Sequence, residues 1–384
     1  MKKLDETTLS IYVHWPFCES KCPYCDFNSH VRKSIDDSAW EIAYIKSIEN
    51  WFLDKPRNKI KSIYFGGGTP SLMKPSTIEK IIQKLYSVCE ISNNPEITME
   101  ANPSSIEMEK FSYYASAGIN RVSIGVQALN NYDLKKLGRK HTVQDAINSI
   151  KIAKKCFNNI SFDLIYARQD QTLKSWSKEL KSALSLADNH ISLYQLTIEK
   201  HTRFEELNRR GLLRGLPCDD LAADFYDLTQ DICNKKNLPA YEISNHAKLG
   251  SESVHNLNYW RYQNYLGIGP GAHSRMVKKG QKFSIENFSV PEKWLSEIIS
   301  NRSGVSSMEP VTIFDQAEEY LMMALRLEEG ANLDRYETLA KKSINTEKID
   351  QLKDLNLINI KENILQISPN GKKVLNTIIS HLIV

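Results

Sequence analysis

The chain has 384 residues, a length that predicts two or three domains and a core large enough to fold without disulfide bonds. Its composition, 41% hydrophobic and 25% charged with 16 glycines and 13 prolines, excludes collagen-like, disordered and low-complexity classes. Basic residues outnumber acidic ones by only 4 (50 against 46), which argues against a protein built to wrap nucleic acid.

The chain begins with MKKLDETTLS, which has acids and hydroxyl groups where a signal peptide has an apolar segment. No apolar run further along approaches the roughly 18 residues that a membrane span needs. We therefore expect a cytoplasmic protein with at most peripheral membrane contact.

Residues 1–200 alternate short β-rich runs with segments of helical spacing. The predicted strands are residues 11–14, 60–65, 97–100, 121–125, 160–166 and 191–197. The predicted helices between them are residues 38–52, 77–88, 106–117, 143–156 and 173–187. This alternation predicts parallel strand pairing with right-handed crossovers. It fits either a doubly wound sheet or a barrel, and periodicity does not separate the two.

A cluster of cysteines directly follows the first predicted strand. Cys18, Cys22 and Cys25 form a C-x₃-C-x₂-C pattern, whereas the other four of the seven cysteines are scattered. Three thiolates on one loop can hold three irons of a cubane iron–sulfur cluster and leave the fourth iron open to another ligand. A zinc site completed by His14 or His30, or three free thiols, are the alternatives that the spacing leaves open.

The position of this loop also favours a functional site. Barrel-type α/β folds place their active sites at the carboxyl ends of the strands, where this loop begins. The second predicted strand ends at the same edge in GGGTP, residues 66–70. Glycines there let backbone groups approach a small polar ligand. The run is not a G-x-G-x-x-G fingerprint, so a dinucleotide is disfavoured.

The cysteine loop, with Tyr24 before its third cysteine, and the GGGTP segment resemble the radical S-adenosylmethionine (SAM) superfamily. The resemblance implies an α/β fold with a partial (β/α)₆ TIM-like barrel. It also implies a [4Fe-4S] cluster on Cys18, Cys22 and Cys25, whose open iron is chelated by the amino and carboxylate groups of SAM. In that superfamily an electron from the cluster cleaves SAM to a 5′-deoxyadenosyl radical.

Further segments resemble the oxygen-independent coproporphyrinogen III oxidase group and, within it, the HemW family of heme chaperones. These segments are IYVHWPFC, YFGGGTPS, EANP, RVSIGVQ, DLIY, YEISN, HNLNYW and LGIGPGAHS. The residues that the resemblance places against SAM are Tyr12, Tyr24, Gly67, Gly68, Thr69, Glu100, Gln127, Arg139 and Asp163. Glu100 would meet the ammonium group, Arg139 the carboxylate, and Asp163 or Gln127 the ribose. Rim salt bridges and a solvated helix position are the alternatives that involve no ligand.

Two features separate a chaperone from an oxidase within this group. Phe27 stands at the position where the oxidases have a further cysteine, two residues after the third. The HNLNYW segment matches the heme-binding motif of the chaperones. We expect His255 to ligate heme from an Asn-rich, aromatic loop beyond the barrel, with His273 as a second candidate. A structural histidine with satisfied hydrogen bonds is the alternative for His255.

The last 75 residues change character. Residues 316–327, 336–340 and 349–355 are predicted helices, residues 357–360 and 364–367 a hairpin, and a final helix follows from residue 370. Helices followed by a hairpin resemble a winged-helix module, and its mixed charges favour partner docking over DNA. The predicted domains are therefore a radical SAM barrel (1–200), a family-specific extension with the HNxxYW motif (201–305), and a winged-helix-like module (306–384).

The function that the resemblance implies is a heme chaperone that binds a [4Fe-4S] cluster, SAM and heme and transfers heme to respiratory heme proteins. It also implies a cluster-dependent homodimer. The alternatives are an oxygen-independent coproporphyrinogen III oxidase and a DNA-binding winged-helix protein with a sensor cluster. Residues 167–170 (ARQD) and 199–202 (EKHT) depart from the usual family pattern, so the detail of the pocket near them is open.

Overall fold

The computed structural model describes residues 7–53 and 58–383 of the chain. Its strands are β1 Thr8–Trp15, β2 Phe17–Cys18, β3 His30–Val31, β4 Lys59–Gly67, β5 Glu90–Ala101, β6 Arg121–Gln127, β7 Asn159–Tyr166, β8 His190–Gln195, β9 Asn245–Ala247, β10 Tyr265–Ile268, β11 His273–Lys278, β12 Gln281–Asn287, β13 Val305–Pro310, β14 Ala331–Asn332, β15 Ile358–Lys361 and β16 Ile364–Ile367.

The helices in the same residues are α1 Asp37–Phe52, α2 Pro75–Val88, α3 Ser105–Ser116, α4 Asn131–Lys136, α5 Val143–Cys156, α6 Leu173–Leu186, α7 Arg203–Arg209, α8 Asp219–Lys235, α9 Val254–Trp260, α10 Pro291–Ile299, α11 Ile313–Ala324, α12 Leu333–Ala340, α13 Thr346–Asp354, α14 Pro369–Lys372 and α15 Leu375–Ile383. Among the residues described, none of the helices combines the length and apolarity that crossing a bilayer would require.

Six parallel strands in the order β1-β4-β5-β6-β7-β8 form the centre of the largest sheet. They correspond to the six predicted strands, although β8 ends two residues before the predicted end at 197, and α1, α2, α3, α5 and α6 connect them as the alternation predicted. The predicted parallel pairing is therefore confirmed. The short helix α4 was not predicted, because its six residues are too few to show a helical period.

The family-specific region adds strands to both edges of the central six. On one side β10 pairs parallel to β1 and continues into the antiparallel strands β11, β12 and β13. On the other side β9 pairs antiparallel to β8. Since β13 belongs to this sheet, the sheet extends to Pro310, five residues past the domain boundary at 305 that the sequence suggested. The division into domains stays a prediction.

The central strands alternate between an apolar outer face and a polar inner face, as a strand of period two requires. On β1, Ile11 and Val13 belong to the main hydrophobic core. Ser10 lies on the other face, where it accepts a hydrogen bond from Ser62 on β4 (2.9 Å). Tyr12 follows on the same face and is the register partner of Tyr64. The barrel interior therefore offers polar groups to a ligand at its open end.

Helix α9 closes the opposite, amino-terminal end of the barrel. The carboxylate of Glu96 accepts hydrogen bonds from the Ser253 hydroxyl (3.1 Å) and from the backbone N–H groups of Val254 (3.1 Å) and His255 (3.0 Å). Glu96 also forms a buried ion pair with Arg121 (3.3 Å). An anion at a helix amino terminus is favourable because it meets unpaired N–H groups and the positive end of the dipole.

The carboxyl-terminal region has a core of its own, formed mainly by residues from Ala317 to Leu382. The predicted helices correspond to α11, α12 and α13, and the predicted hairpin to β15 and β16, which pair antiparallel. A short third strand, β14, pairs with β16. The predicted last helix begins as α14 and continues as α15. The comparison with winged-helix modules stays a prediction.

Candidate functional site

A cavity of about 410 Å³ opens at the carboxyl ends of the parallel strands, a size in the range of small-molecule sites. The three cysteines of the C-x₃-C-x₂-C pattern line it. Its further lining includes Tyr24, Gly67, Gly68, Thr69, Glu100, Gln127, Arg139 and Asp163. The structure thus brings together all the residues for which the sequence suggested cluster or SAM binding except Tyr12.

The cysteine loop is fixed at its base and supplied with hydrogen-bond donors. Strands β2 and β3 pair in parallel where the loop begins and ends. The Thr69 hydroxyl donates to the Cys18 sulfur (3.4 Å), and Arg139 Nη1 donates to the Cys22 sulfur (3.4 Å). Donors of this kind stabilise negative charge on sulfur, so both contacts suit thiolates that bind a metal cluster.

The zinc alternative finds no support in the positions of the histidines. His14 donates through Nε2 to the Asn28 carbonyl oxygen (2.9 Å), and its Nδ1 is bonded to the Tyr12 hydroxyl (3.1 Å). His30 donates through Nε2 to Asn28 Oδ1 (3.0 Å). Neither ring lines the cavity that the three thiols share. Both rings act as supports of the loop.

The glycines of GGGTP are needed where β4 turns against the cysteine loop. Gly67 has φ +110°, and a side-chain carbon there would overlap the His14 ring. A side-chain carbon on Gly68 would lie 2.6 Å from the Phe17 carbonyl oxygen. Only glycine fits both positions, because β4 and the loop approach each other through their backbones.

Two half-buried carboxyl groups line the cavity. Glu100 accepts hydrogen bonds from the Tyr64 hydroxyl (2.9 Å) and the Gly67 N–H (3.1 Å), and Asp163 accepts one from the Ser123 hydroxyl (3.0 Å). Burial raises the pKa of Glu100 to about 7, with a further contribution from Asp163. Burial likewise raises the pKa of Asp163 to about 6. A cationic ligand here would favour the ionised forms.

Sequence reasoning missed Asn102, which connects the predicted residues. Its side-chain amide donates to Thr69 Oγ1 (3.1 Å), and its Oδ1 accepts from Arg139 Nη2 (2.6 Å). Arg139 Nη2 also donates to the Gly125 carbonyl oxygen (2.9 Å), while its buried Nε has no hydrogen-bond partner among the residues described. The signal that could have identified Asn102 is its place in EANP, two residues after Glu100.

The segment ARQD, residues 167–170 after β7, departs from the usual family pattern and stabilises elements next to the site. Arg168 is buried and forms ion pairs with Asp133 (2.7 Å) and Glu179 (2.6 Å). Glu179 also accepts from the backbone N–H of Leu129 (2.6 Å), in the segment that follows Gln127. Arg168 therefore connects α4 and the loop after β6, which lie between Gln127 and Arg139 in the chain, to α6.

Two of the candidate residues lie elsewhere than the sequence suggested. Tyr12 is directed into the barrel interior, where its hydroxyl bonds to His14 and its ring packs on Tyr64 at a centroid distance of 6.1 Å. The placement of His255 in a loop beyond the barrel is wrong. His255 lies in α9 with 1% of its surface exposed, and its Nδ1 is bonded to Ser62 (2.9 Å). Ser253 caps this helix and turns the Asn-rich segment inward.

Comparison with known proteins identifies the family. The model of the radical SAM superfamily matches residues 12–182. The protein "Heme chaperone HemW" of Haemophilus influenzae is 34% identical over 97% of this chain and 97% of its own length. The chain belongs to the HemW family of radical SAM proteins. A second HemW relative, from Lactococcus lactis, is 35% identical over 90% of this chain and 89% of its own length.

The chain also has a eukaryotic relative and a structural neighbour among solved enzymes. "Radical S-adenosyl methionine domain-containing protein 1, mitochondrial" of Dictyostelium discoideum is 36% identical over 99% of this chain and 96% of its own length. The structure of coproporphyrinogen III oxidase (HemN) from Escherichia coli superposes with a TM-score of 0.81 at 19% identity, over 98% of this chain and 90% of that one. The predicted α/β radical SAM fold is confirmed, and family membership implies a [4Fe-4S] cluster and SAM.

Proposed function

We propose that this HemW-family protein is a cytoplasmic heme chaperone that carries a [4Fe-4S] cluster and SAM, binds heme, and transfers it to respiratory heme proteins. The full-length similarity to proteins named heme chaperones carries the proposal. A cluster-dependent homodimer is part of it. Phe27 supports the proposal further. It lines the cavity beside the cysteines, is 60% exposed, and stands at the position where the oxidases have a further cysteine.

The residues of the chain fit the two resident groups. Cys18, Cys22 and Cys25 would hold the cluster, with Thr69 and Arg139 donating to the sulfurs. The cluster and SAM, when bound, would supply one-electron chemistry. The remaining polar groups would bind and orient SAM: the carboxyl groups of Glu100 and Asp163 suit an ammonium group and ribose hydroxyls, and the guanidinium group of Arg139 on the cavity wall suits a carboxylate.

Coproporphyrinogen oxidation is the competing function. The oxidase shares the fold at 19% identity, and a shared fold hosts different functions. The two functions therefore differ in what they predict for a porphyrin: the chaperone retains heme unchanged, whereas the oxidase consumes coproporphyrinogen III.

A paired assay on one preparation tests the proposal. The full chain is purified without oxygen, reconstituted with iron and sulfide, and divided between a heme titration and an incubation with coproporphyrinogen III, SAM and a reductant. We expect saturable heme binding and no protoporphyrinogen, with the E. coli oxidase as the positive control for turnover. Sustained protoporphyrinogen formation, or no saturable heme binding, would contradict the proposal.

A further inference from the structure

Asn102 lies between the two side chains that donate hydrogen bonds to the sulfurs of the cysteine loop. Its Nδ2 donates to Thr69 Oγ1 (3.1 Å), and its Oδ1 accepts from Arg139 Nη2 (2.6 Å). Thr69 in turn donates to the Cys18 sulfur (3.4 Å), and Arg139 Nη1 donates to the Cys22 sulfur (3.4 Å). One side-chain amide thus joins two of the three sulfurs of the loop through a continuous chain of hydrogen bonds.

The two partners fix the orientation of the Asn102 amide. A guanidinium group has donors and no acceptor, so the atom that faces Arg139 is the amide oxygen. The amide nitrogen therefore faces Thr69 Oγ1 and donates to it. A hydroxyl group has a single proton, and because the amide already supplies the proton of this hydrogen bond, the hydroxyl proton is left for the Cys18 sulfur.

On its other side, Asn102 determines how the guanidinium group of Arg139 is held. Nη2 of Arg139 donates to Asn102 Oδ1 and also to the Gly125 carbonyl oxygen (2.9 Å). A guanidinium group is planar and its N–H groups have fixed relative directions. Because Nη2 is anchored at two acceptors, the direction of Nη1 toward the Cys22 sulfur is set as well.

The backbone of Asn102 is held independently of its side chain. Its N–H donates to the carboxylate of Glu107 (2.7 Å), which has 2% of its surface exposed and also accepts from the Ser104 hydroxyl (3.3 Å) before α3. Removal of the side-chain amide therefore leaves the anchor of the turn after β5 in place. The role of the side chain can be measured apart from that of the backbone.

Hydrogen bonds to the sulfurs of an iron–sulfur cluster raise its reduction potential, because they stabilise the reduced and more negative form. We propose that Asn102 is a positioning residue that sets the reduction potential of the [4Fe-4S] cluster by directing the Thr69 and Arg139 donors at the sulfurs of Cys18 and Cys22. The inference rests on the proposed function, since it needs the cluster on these cysteines.

The test is the midpoint potential of the reconstituted full chain, measured by redox titration without oxygen and read by the electron paramagnetic resonance of the reduced cluster. For Asn102→Ala we expect wild-type iron and sulfide contents, because all three cysteines remain, and a shift of the midpoint to more negative potential. Asn102→Asp keeps the shape and the acceptor for Arg139 but replaces the donor to Thr69 by a negative oxygen, so its midpoint should also be more negative. Asn234→Ala, an exposed change on α8 outside the cavity lining, is the matched control and should keep the wild-type potential.

A double-mutant cycle separates positioning from a general disturbance of the site. Thr69→Val removes the hydroxyl that Asn102 directs, so the shifts of Asn102→Ala and Thr69→Val should sum to more than the shift of the double variant. Thr69→Ser keeps the hydroxyl and should stay closer to the wild-type potential than Thr69→Val.

The outcomes separate the inference from the function on which it rests. A wild-type potential in Asn102→Ala, or fully additive shifts in the cycle, would overturn the inference and leave the chaperone function standing. Loss of the cluster from both Asn102 variants would overturn it too, because Asn102 would then be needed for assembly of the site and not for its potential. If the wild type itself binds no cluster, the proposed function fails.

Discussion

Cys22→Ala is expected to abolish cluster binding while the fold survives. A cubane that takes three thiolates from one loop loses an iron ligand that no other residue on the cavity wall replaces. Arg139 Nη1, which donates to the Cys22 sulfur, would lose its partner at the same time. Because Cys22 lies in a loop outside the hydrophobic core, we expect a loss of unfolding free energy of no more than about 1 kcal/mol.

The measurement is iron and sulfide content with visible absorbance after reconstitution, beside a thermal unfolding curve. Cys218→Ala is the matched control, because Cys218 is an exposed thiol that precedes α8 and its side chain makes no capping hydrogen bond. The control should bind iron and sulfide like the wild type. A Cys22→Ala protein that keeps a full cluster would contradict the assignment of the three ligands.

Glu100→Gln is expected to weaken SAM binding by about ten- to a hundredfold, the loss of a charged hydrogen bond to an ammonium group. The pKa of Glu100 is raised to about 7 by burial, so the carboxyl ionises in the neutral range. Wild-type affinity for SAM should therefore rise as pH increases through about 7, whereas the affinity of Glu100→Gln should change much less. Isothermal titration calorimetry at pH values from about 6 to about 8 measures the SAM affinity of the wild type and of Glu100→Gln.

The same carboxyl has the opposite effect on the ligand-free protein. Its folded pKa exceeds the ordinary value of 4.5, so its contribution to stability is complete below that value and is lost as pH rises through about 7. A shift of this size corresponds to about 3 kcal/mol. Glu100→Gln should therefore be stabilised relative to the wild type at pH above about 7. Glu90→Gln, an exposed change at the start of the same strand, is the control, and an identical pH profile in both variants would contradict the prediction.

Local spacing predicted the parts of the site that lie on single segments. The three cysteines occupy eight residues, and GGGTP directly ends a strand, so their edge of the sheet followed from strand order. The bond network of Asn102 joins segments 33 and 37 residues apart, and no local pattern encodes such contacts. Tyr12 shows a related limit: alternation gives its face of the strand, but not its depth below the cavity.

The HNLNYW segment shows where the pattern misled. Its seven-residue helix is too short for a clear period, and its asparagines suggested a loop. The hairpin of β11 and β12 was also missed, although its turn residues Lys279 and Gly280, both with positive φ, are a signal of the kind that predicts hairpins. The amino terminus of α9 is held by the Glu96 carboxylate, which lies 157 residues before Ser253 in the chain, so no local pattern could reveal it.

The central claim is that three cysteines hold a [4Fe-4S] cluster and leave one iron to SAM. Electron paramagnetic resonance of the reduced, oxygen-free wild-type protein, recorded before and after SAM is added, tests it most directly. Three thiolate ligands and one vacant iron predict the spectrum of a cubane cluster that shifts when SAM binds, and coupling to ¹⁵N in labelled SAM. Zinc in place of iron and sulfide, or a cluster spectrum that SAM leaves unchanged, would contradict it.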